Sequence, residues 1–139
     1  MATLDDAIAL AVSAHRGHSY PTDAIGRDPF ILHPLRVMLA VVTPVERQVA
    51  VLHDVVEESD VSLDELRRLG FSDEVVEAVD HLTHRDSELY EDYIERVATS
   101  PLARAVKLAD LRDNLAQNHG FPGGEEIAAR HQAALARLS

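Results

Sequence analysis

The chain has 139 residues, of which 46% are hydrophobic and 27% charged, and its formal net charge is -11. This length can bury one hydrophobic core, so the sequence predicts a single folded domain over residues 1–139. The negative charge argues against nucleic-acid binding, which needs basic side chains to replace phosphate counterions. No apolar stretch approaches the roughly 18 residues of a membrane span. The acidic N-terminus is unlike a secretory signal and predicts a cytoplasmic location.

Helix signals follow one another along the chain, and no segment has convincing strand character. Thr3 and Asp6 resemble a capping arrangement before an apolar helix that reaches His15. Glycines and prolines between residues 16 and 32 predict a long loop. The remaining predicted helices cover residues 34–41, 44–58, 62–70, 72–82, 89–98, 101–115 and 125–138. The sequence therefore predicts an all-α fold, in which the last helix serves packing.

The predicted helix over residues 44–58 is apolar on most of its circumference, which indicates burial on nearly all sides. It nevertheless carries His53 and Asp54, with Glu57 and Glu58 one turn further on. Burying such groups is costly unless a partner compensates, most economically a cation. We therefore interpret the adjacent His53 and Asp54 as metal ligands rather than as a core histidine beside an acidic helix end. Taken alone, Glu57 and Glu58 fit a solvated helix end better.

Other elements must complete such a metal site, and two segments offer candidates. Because the chain has no cysteine, the further ligands are expected to be histidines or carboxylates. In the helix over residues 101–115, Asp110 lies among apolar neighbours, with Lys107 and Asn114 one turn away on either side. Lys107 can equally form a local ion pair with Asp110. His33 lies directly before Pro34, where a single histidine is more often a helix cap or a surface group.

The order of these groups, one histidine, an adjacent His-Asp pair and a distant aspartate, resembles the HD superfamily of metal-dependent phosphohydrolases. The segments PFILHPLRV, VLHDVVEES and VKLADLRDN further resemble the hydrolase domain of the RelA/SpoT alarmone enzymes. They are also similar to the small stand-alone hydrolases called metazoan SpoT homologues. The resemblance implies a single compact helical bundle of the HD type over residues 1–139.

The resemblance also implies roles for individual residues. Residues in the positions of His33, His53, Asp54 and Asp110 coordinate a metal ion, usually manganese. Two nitrogen and two carboxylate ligands also suit iron, zinc or cobalt. Glu57 and Glu58 match a Glu-Asp pair that orients and deprotonates the attacking water, and we expect Glu57 to be the catalytic base, with Glu58 assisting. Asn114 matches an asparagine that contacts the nucleotide.

The implied reaction is hydrolysis of the 3'-pyrophosphate of guanosine alarmones, (p)ppGpp. The Arg-Lys pair with which the family holds this substrate is not evident in HRGHSYPTDAIGRDPF. Arg16 and Arg27 are possible substitutes, of which we predict Arg27, while Arg16 fits a surface group better. Lys107 is predicted as a further substrate contact, and His15 and His18 are candidates for the pocket lining. The missing pair favours an alternative, a nucleotidase or nucleotide pyrophosphatase acting on another phosphorylated nucleoside.

A third hypothesis is a non-catalytic nucleotide-binding HD domain, although the four metal ligands are intact. A two-metal HD oxygenase is disfavoured because no additional histidines have an obvious spacing for a second metal. The expected partner is a small phosphorylated nucleotide, with neither nucleic acid nor membrane. Whether the chain forms a homo-oligomer is left open by the sequence.

Overall fold

The computed structural model describes residues 1–19, 28–118 and 123–139, and regular structure in these ranges is helical apart from one isolated β-bridge between Ser19 and Pro29. The helices are α1 (Leu4–His15), α2 (Leu32–Ala40), α3 (Pro44–Leu52), α4 (Val55–Glu58), α5 (Leu63–Arg68), α6 (Asp73–Leu82), α7 (Tyr90–Ala98), α8 (Pro101–Ala116) and α9 (Gly124–Leu138). The predicted all-α class is confirmed.

Side-chain caps begin several helices where the sequence indicated. The hydroxyl of Thr3 accepts a hydrogen bond from the amide of Asp6, and that of Thr43 accepts one from Glu46, each in a reciprocal capping box. The hydroxyl of Ser62 likewise accepts a hydrogen bond from the amide of Glu65, at 3.1 Å, at the start of α5. Such caps satisfy amide groups that the first helical turn leaves without partners. Local sequence therefore determines these starting points.

The predicted helix over residues 44–58 is interrupted, which corrects the sequence prediction. α3 ends at Leu52, and His53 and Asp54 form a turn before α4 begins. The Nδ1 of His53 lies 2.5 Å from the carbonyl oxygen of Ala50, the acceptor that a continuous helix would pair with the amide of Asp54. This carbonyl instead accepts from the imidazole and, at 3.4 Å, from the amide of His53, and α3 ends there.

Helices α3 and α8 form the centre of the bundle. α3 contacts α1, α2, α6 and α8, and α8 also contacts α2, α6, α7 and α9. Fully buried apolar side chains fill the space around them, among them Val49, Val51, Leu52, Val106 and Leu111. Because Asp110 belongs to α8, and the turn with His53 and Asp54 directly follows α3, the fold brings polar groups into its core. Within the described residues, no helix combines the length and apolar character that a membrane crossing requires.

Candidate metal centre

The four predicted metal ligands meet inside the bundle. His33, His53, Asp54 and Asp110 each offer one ligand atom, and these atoms all lie within 4.8 Å of one another. The first turn of α2, the turn between α3 and α4, and the middle of α8 supply them. His33 and His53 are each 2% exposed and Asp110 is 3% exposed. The side chain of Asp54 is 19% exposed, so the chain holds a cluster of two imidazoles and two carboxylates in which three groups are buried and one is partly buried.

The separations within this cluster suit a single cation. The Nε2 of His33 lies 2.8 Å from Oδ1 of Asp110 and 3.7 Å from Oδ2 of Asp54. The Nε2 of His53 lies 3.2 Å and 3.1 Å from the same two oxygens. Neighbouring ligand atoms that bind one ion at about 2.1 Å are about 3.0 Å apart at octahedral angles and about 3.4 Å apart at tetrahedral angles. The observed distances span this range, so the donor set fits a divalent metal.

Hydrogen bonds behind the cluster orient both imidazoles. The Nδ1 of His33 lies 2.7 Å from Oδ2 of Asp113, whose other oxygen accepts a 2.8 Å bond from Nε of Arg36. The Nδ1 of His53 faces the Ala50 carbonyl, which can only accept, so this nitrogen carries the proton. In each ring Nε2 is then the atom directed at the cluster, as metal-binding histidines require.

Asp113 was missed by the sequence analysis. Its position three residues after Asp110 on the same helix was the available signal, because residues at this spacing share one helix face.

Electrostatics show why this cluster attracts positive charge. Burial would lower the pKa of His53, but the carboxylates of Asp54 and Asp110 outweigh it and raise that pKa well above its ordinary value. For His33, burial is likewise outweighed by hydrogen bonds to Asp110 and Asp113, and its pKa is raised. The carboxylates thus stabilise added positive charge, either as protons on the imidazoles or as a cation in their place.

Asp110 is bonded through both carboxylate oxygens. It can therefore be both a metal ligand and the ion-pair partner of Lys107, the two roles that the sequence left open. Oδ2 accepts a 2.7 Å bond from Nζ of Lys107, and Oδ1 faces the two imidazoles. Burial alone would raise the pKa of Asp110, but the ammonium of Lys107 and the imidazole of His53 hold it well below its usual range. The Nδ2 of Asn114 lies 3.4 Å from Oδ1. The ion pair and the ligand position coexist on one carboxylate.

A cavity of about 150 Å³ adjoins the cluster. Its walls come from α7, α8, α9, the turn and helix that follow α3, and the loop before α7: Asp54, Glu57, His84, Tyr90, Tyr93, Lys107, Arg130 and His131. The guanidinium carbon of Arg130 lies 4.6 Å from the centroid of the Tyr90 ring. Helix α9, which the sequence predicted to serve packing, therefore also contributes a cation and a histidine to this cavity.

The two predicted catalytic glutamates line different depressions of the surface, and Glu57 borders both of them. Glu57 lines the cavity beside Asp54, and its carboxylate accepts a hydrogen bond from the amide of His84. Desolvation and the charge of Asp54 raise the pKa of Glu57. Glu58 lines a wider depression of about 510 Å³, which Glu57 also borders. The pKa of Glu58 is raised by the same two causes.

The remaining predicted pocket residues differ in their positions. Arg27 lies outside the described residues. His15 packs 4.7 Å from the ring of Phe30, which is itself 6.1 Å from the ring of His33. Burial lowers the pKa of His15 to about 4, so it is a neutral core histidine behind the cluster. His18 is exposed and contributes its carbonyl to a 2.8 Å bond from the amide of Phe30.

A solved structure provides the comparison for this architecture. It is described as a metazoan ortholog of SpoT that hydrolyses ppGpp and plays a role in starvation responses, and it matches with a TM-score of 0.83. The match covers 99% of this chain and 86% of that chain at 23% sequence identity. The chain has the fold of this SpoT ortholog. The predicted helical bundle is therefore confirmed as a fold.

A curated relative supports the same resemblance at the level of sequence. The GTP pyrophosphokinase of Streptomyces coelicolor is 30% identical in an alignment of 125 positions that covers 81% of this chain. The match covers 14% of the length of that relative, so the two proteins are comparable over one region only. No protein-family model matches the chain. The predicted resemblance to the RelA/SpoT proteins is confirmed over that region.

Proposed function

We propose that this chain is a metal-dependent phosphohydrolase that removes the 3'-pyrophosphate from guanosine alarmones, (p)ppGpp. The observation that carries the proposal is the convergence of two imidazoles and two carboxylates, three of them buried, within 4.8 Å. A SpoT ortholog with the same fold is described as hydrolysing ppGpp, and we extend that substrate to this chain. We further propose that residues 1–139 act as one HD domain in the cytoplasm.

Manganese is the proposed ion, and iron, zinc and cobalt accept the same mixed nitrogen and oxygen ligands. His33 and His53 would hold it through Nε2, because Nδ1 of each ring is engaged by Asp113 or Ala50. Asp54 and Asp110 would supply the oxygens. When bound, such a cation lowers the pKa of a water molecule and offsets the charge of a phosphoryl oxygen.

Glu57 is the proposed general base, and Glu58 assists from the wider depression. The raised pKa of Glu57 moves the carboxyl toward the pH range in which a base is most effective. The water oxygen bonds to the phosphorus attached to the ribose 3' oxygen, and the water proton passes to the Glu57 carboxylate. The bond from that phosphorus to the 3' oxygen breaks. Pyrophosphate leaves with the water oxygen, and the 3' oxygen takes up the proton that Glu57 accepted, which yields a hydroxyl and regenerates the carboxylate.

Arg130 and Lys107 supply the local positive charge that a chain of net charge -11 needs in order to bind a phosphorylated ligand. Because the Lys107 ammonium is already bonded to Asp110, we assign the direct phosphate contact to Arg130. Lys107 then favours phosphate binding mainly through the electrostatic field of its ammonium group. Asn114 and Arg27 remain proposed contacts to the nucleotide.

A second candidate function is hydrolysis of another phosphorylated nucleoside. The segment HRGHSYPTDAIGRDPF lacks an evident Arg-Lys pair, and in the family this pair holds the guanine and the phosphates. That departure favours a substrate with a different base or phosphate arrangement. The metal cluster and Glu57 would serve this reaction equally well.

Pyrophosphate and phosphate release from a nucleotide panel tests both candidates. Metal-stripped protein reloaded with Mn²⁺ should release pyrophosphate from ppGpp. Asp54→Ala should lose both turnover and bound Mn²⁺, whereas Asp60→Ala, which changes an exposed carboxylate, should keep both. Turnover of another nucleotide without ppGpp turnover would transfer the assignment to the second candidate. Nucleotide-dependent thermal stabilisation without any turnover would instead support a non-catalytic binding domain.

A further inference from the structure

Arg96 on α7 binds the end of α6 and the loop that follows it. Its Nη1 donates to the carbonyls of Asp80 and His81 at 3.0 and 3.2 Å, and its Nη2 donates to the carbonyl of Thr83 at 2.9 Å. Carbonyls at the end of a helix have no partner within the helix and need one from elsewhere. Arg96 therefore fixes the point at which the chain leaves α6.

The same guanidinium also closes the far end of this loop. Its Nε and Nη2 bind the two carboxylate oxygens of Glu88 at 3.0 and 2.8 Å. These bonds lower the pKa of Glu88 to about 2, so the pair is ionised at neutral pH. The amide of Glu88 donates to the carbonyl of Arg85 at 3.1 Å. A single side chain thus ties together both ends of the segment 83–88.

Within this segment, His84 is the residue that contacts the proposed base. Its amide donates to the Glu57 carboxylate, and its Nε2 lies 2.7 Å from the carbonyl of Glu88. The imidazole packs 4.9 Å from the ring of Tyr93, whose hydroxyl donates to the carbonyl of Leu82 at 2.8 Å. The direction of the His84 amide therefore depends on the bonds that hold the loop.

We propose that Arg96 is a positioning residue for Glu57, acting through the segment 83–88 and the amide of His84. The inference rests on the proposed role of Glu57 as the general base. Among the described residues, Arg96 does not line the 150 Å³ cavity, and its guanidinium carbon lies 5.7 Å from the centroid of the Tyr93 ring, which does, so we assign Arg96 an indirect role. Lysine would keep the charge but lacks the planar fork that binds Glu88 and the carbonyls together.

Arg96→Lys is the main test, and Arg137→Lys is its matched control. Arg137 forms a similar two-bond pair with Glu95, at 2.5 and 2.7 Å, on exposed surface. Because small misplacements of catalytic groups cost up to about 100-fold in rate, we expect Arg96→Lys to lower kcat by about 10- to 100-fold. KM for ppGpp and the affinity for Mn²⁺ should not change, and Arg137→Lys should leave kcat unchanged.

Hydrogen exchange provides a readout that does not depend on activity. In the metal-free chain, the amide of His84 should exchange faster in Arg96→Lys than in wild type, and Arg137→Lys should not alter it. If Arg96→Lys does not fold, Glu88→Gln removes one side of the pair and leaves the three carbonyl bonds. Like Arg96→Lys, Glu88→Gln should lower kcat and speed up exchange of the His84 amide, but by smaller factors.

A double-mutant cycle with Glu57→Gln separates positioning from general destabilisation. If Arg96 acts through Glu57, adding Arg96→Lys to Glu57→Gln should lower kcat by less than about twofold, whereas independent effects multiply. Multiplied losses, an unchanged kcat or unchanged His84 exchange in Arg96→Lys would each overturn the proposal. A wild-type protein that hydrolyses no alarmone contradicts the proposed function instead, and His84 exchange then decides whether Arg96 orients this amide.

Discussion

The ligand side of the site and its cavity side are held in different ways. On the ligand side, His33, His53 and Asp110 are buried, and their remaining polar atoms are bonded to other groups of the bundle. On the cavity side, His84 and Arg130 are exposed and belong to a loop and to the last helix. The buried core thus offers a candidate cation site, and the exposed rim offers contacts to a ligand. Metal binding and substrate binding should therefore be separable by mutation.

Glu57 lies at the boundary between the two sides and provides the largest expected effect. Glu57→Gln keeps the size of the side chain and an acceptor for the His84 amide but removes the base. We expect kcat to fall by about 10²- to 10⁴-fold while one Mn²⁺ per chain is retained, as steady-state kinetics and elemental analysis would measure. Glu58→Gln should cost less than about tenfold, because an assisting group is not the main proton acceptor. Equal losses from both variants would contradict the assignment of Glu57.

Metal affinity should depend steeply on pH, because the ligand side binds protons and cations at the same imidazoles. The pKa values of His33 and His53 are raised, so below these values a cation must displace a proton from each ring. We expect Mn²⁺ affinity to fall by about 10- to 100-fold for each unit of pH below this range. Titration of the metal-free protein by calorimetry would measure this.

The thermal stability of the metal-free chain should decrease as pH rises, whereas its affinity for Mn²⁺ should increase. A raised histidine pKa contributes stability that is fully present below the unfolded value of about 6.5 and is lost as pH rises through the folded value. The Tm of the metal-free chain should therefore fall with rising pH above about 6.5, while the stabilisation by Mn²⁺ increases. If the difference in Tm between the metal-free and the Mn²⁺-loaded chain did not change with pH, protons and metal would not compete for these imidazoles.

Asp113 tests whether the bonds behind the ligands matter to the cation. Asp113→Ala removes the partner of His33 Nδ1 and leaves the four ligands in place. Loss of such an outer partner costs about 10- to 100-fold in metal affinity, and we expect a loss of this size for Mn²⁺. Asp64→Ala is the control, because its pair with Arg67 lies on the surface. Unchanged affinity in Asp113→Ala would mean that packing alone orients the ring of His33.

The two sides also differ in how far sequence could predict them. His53 and Asp54 stand out because charged groups among valines need a compensating partner, and Thr43 and Glu46 indicate where the helix begins. The break after Leu52 was not predictable from hydrophobic periodicity, because it depends on an imidazole that binds a main-chain carbonyl. Periodicity reports which face is buried and does not detect such a bond.

Arg130 illustrates why the cavity side escaped prediction. An exposed arginine on an amphipathic helix is usually a solvated group, and its sequence neighbours do not reveal that Tyr90 and Lys107 lie nearby. The segment 83–88 has the same difficulty, since its position depends on contacts of Arg96 with residues distant along the chain. Tertiary contacts, not local patterns, create this half of the site.

Arg130→Ala has the smallest expected effect and tests most directly whether the ligand side and the cavity side of the site act independently. A hydrogen bond to a charged group is worth about 1.5–3 kcal/mol, and exposure to solvent reduces this, so KM for ppGpp should rise by about tenfold. Arg137→Ala on the same helix is the matched control and should leave KM unchanged.

Added salt should raise KM more in wild type than in Arg130→Ala, because screening weakens an exposed phosphate contact. Both variants should retain the wild-type affinity for Mn²⁺. If Arg130→Ala weakened metal binding instead, the exposed rim would be contributing to the cation site, and the two sides could not be treated as independent.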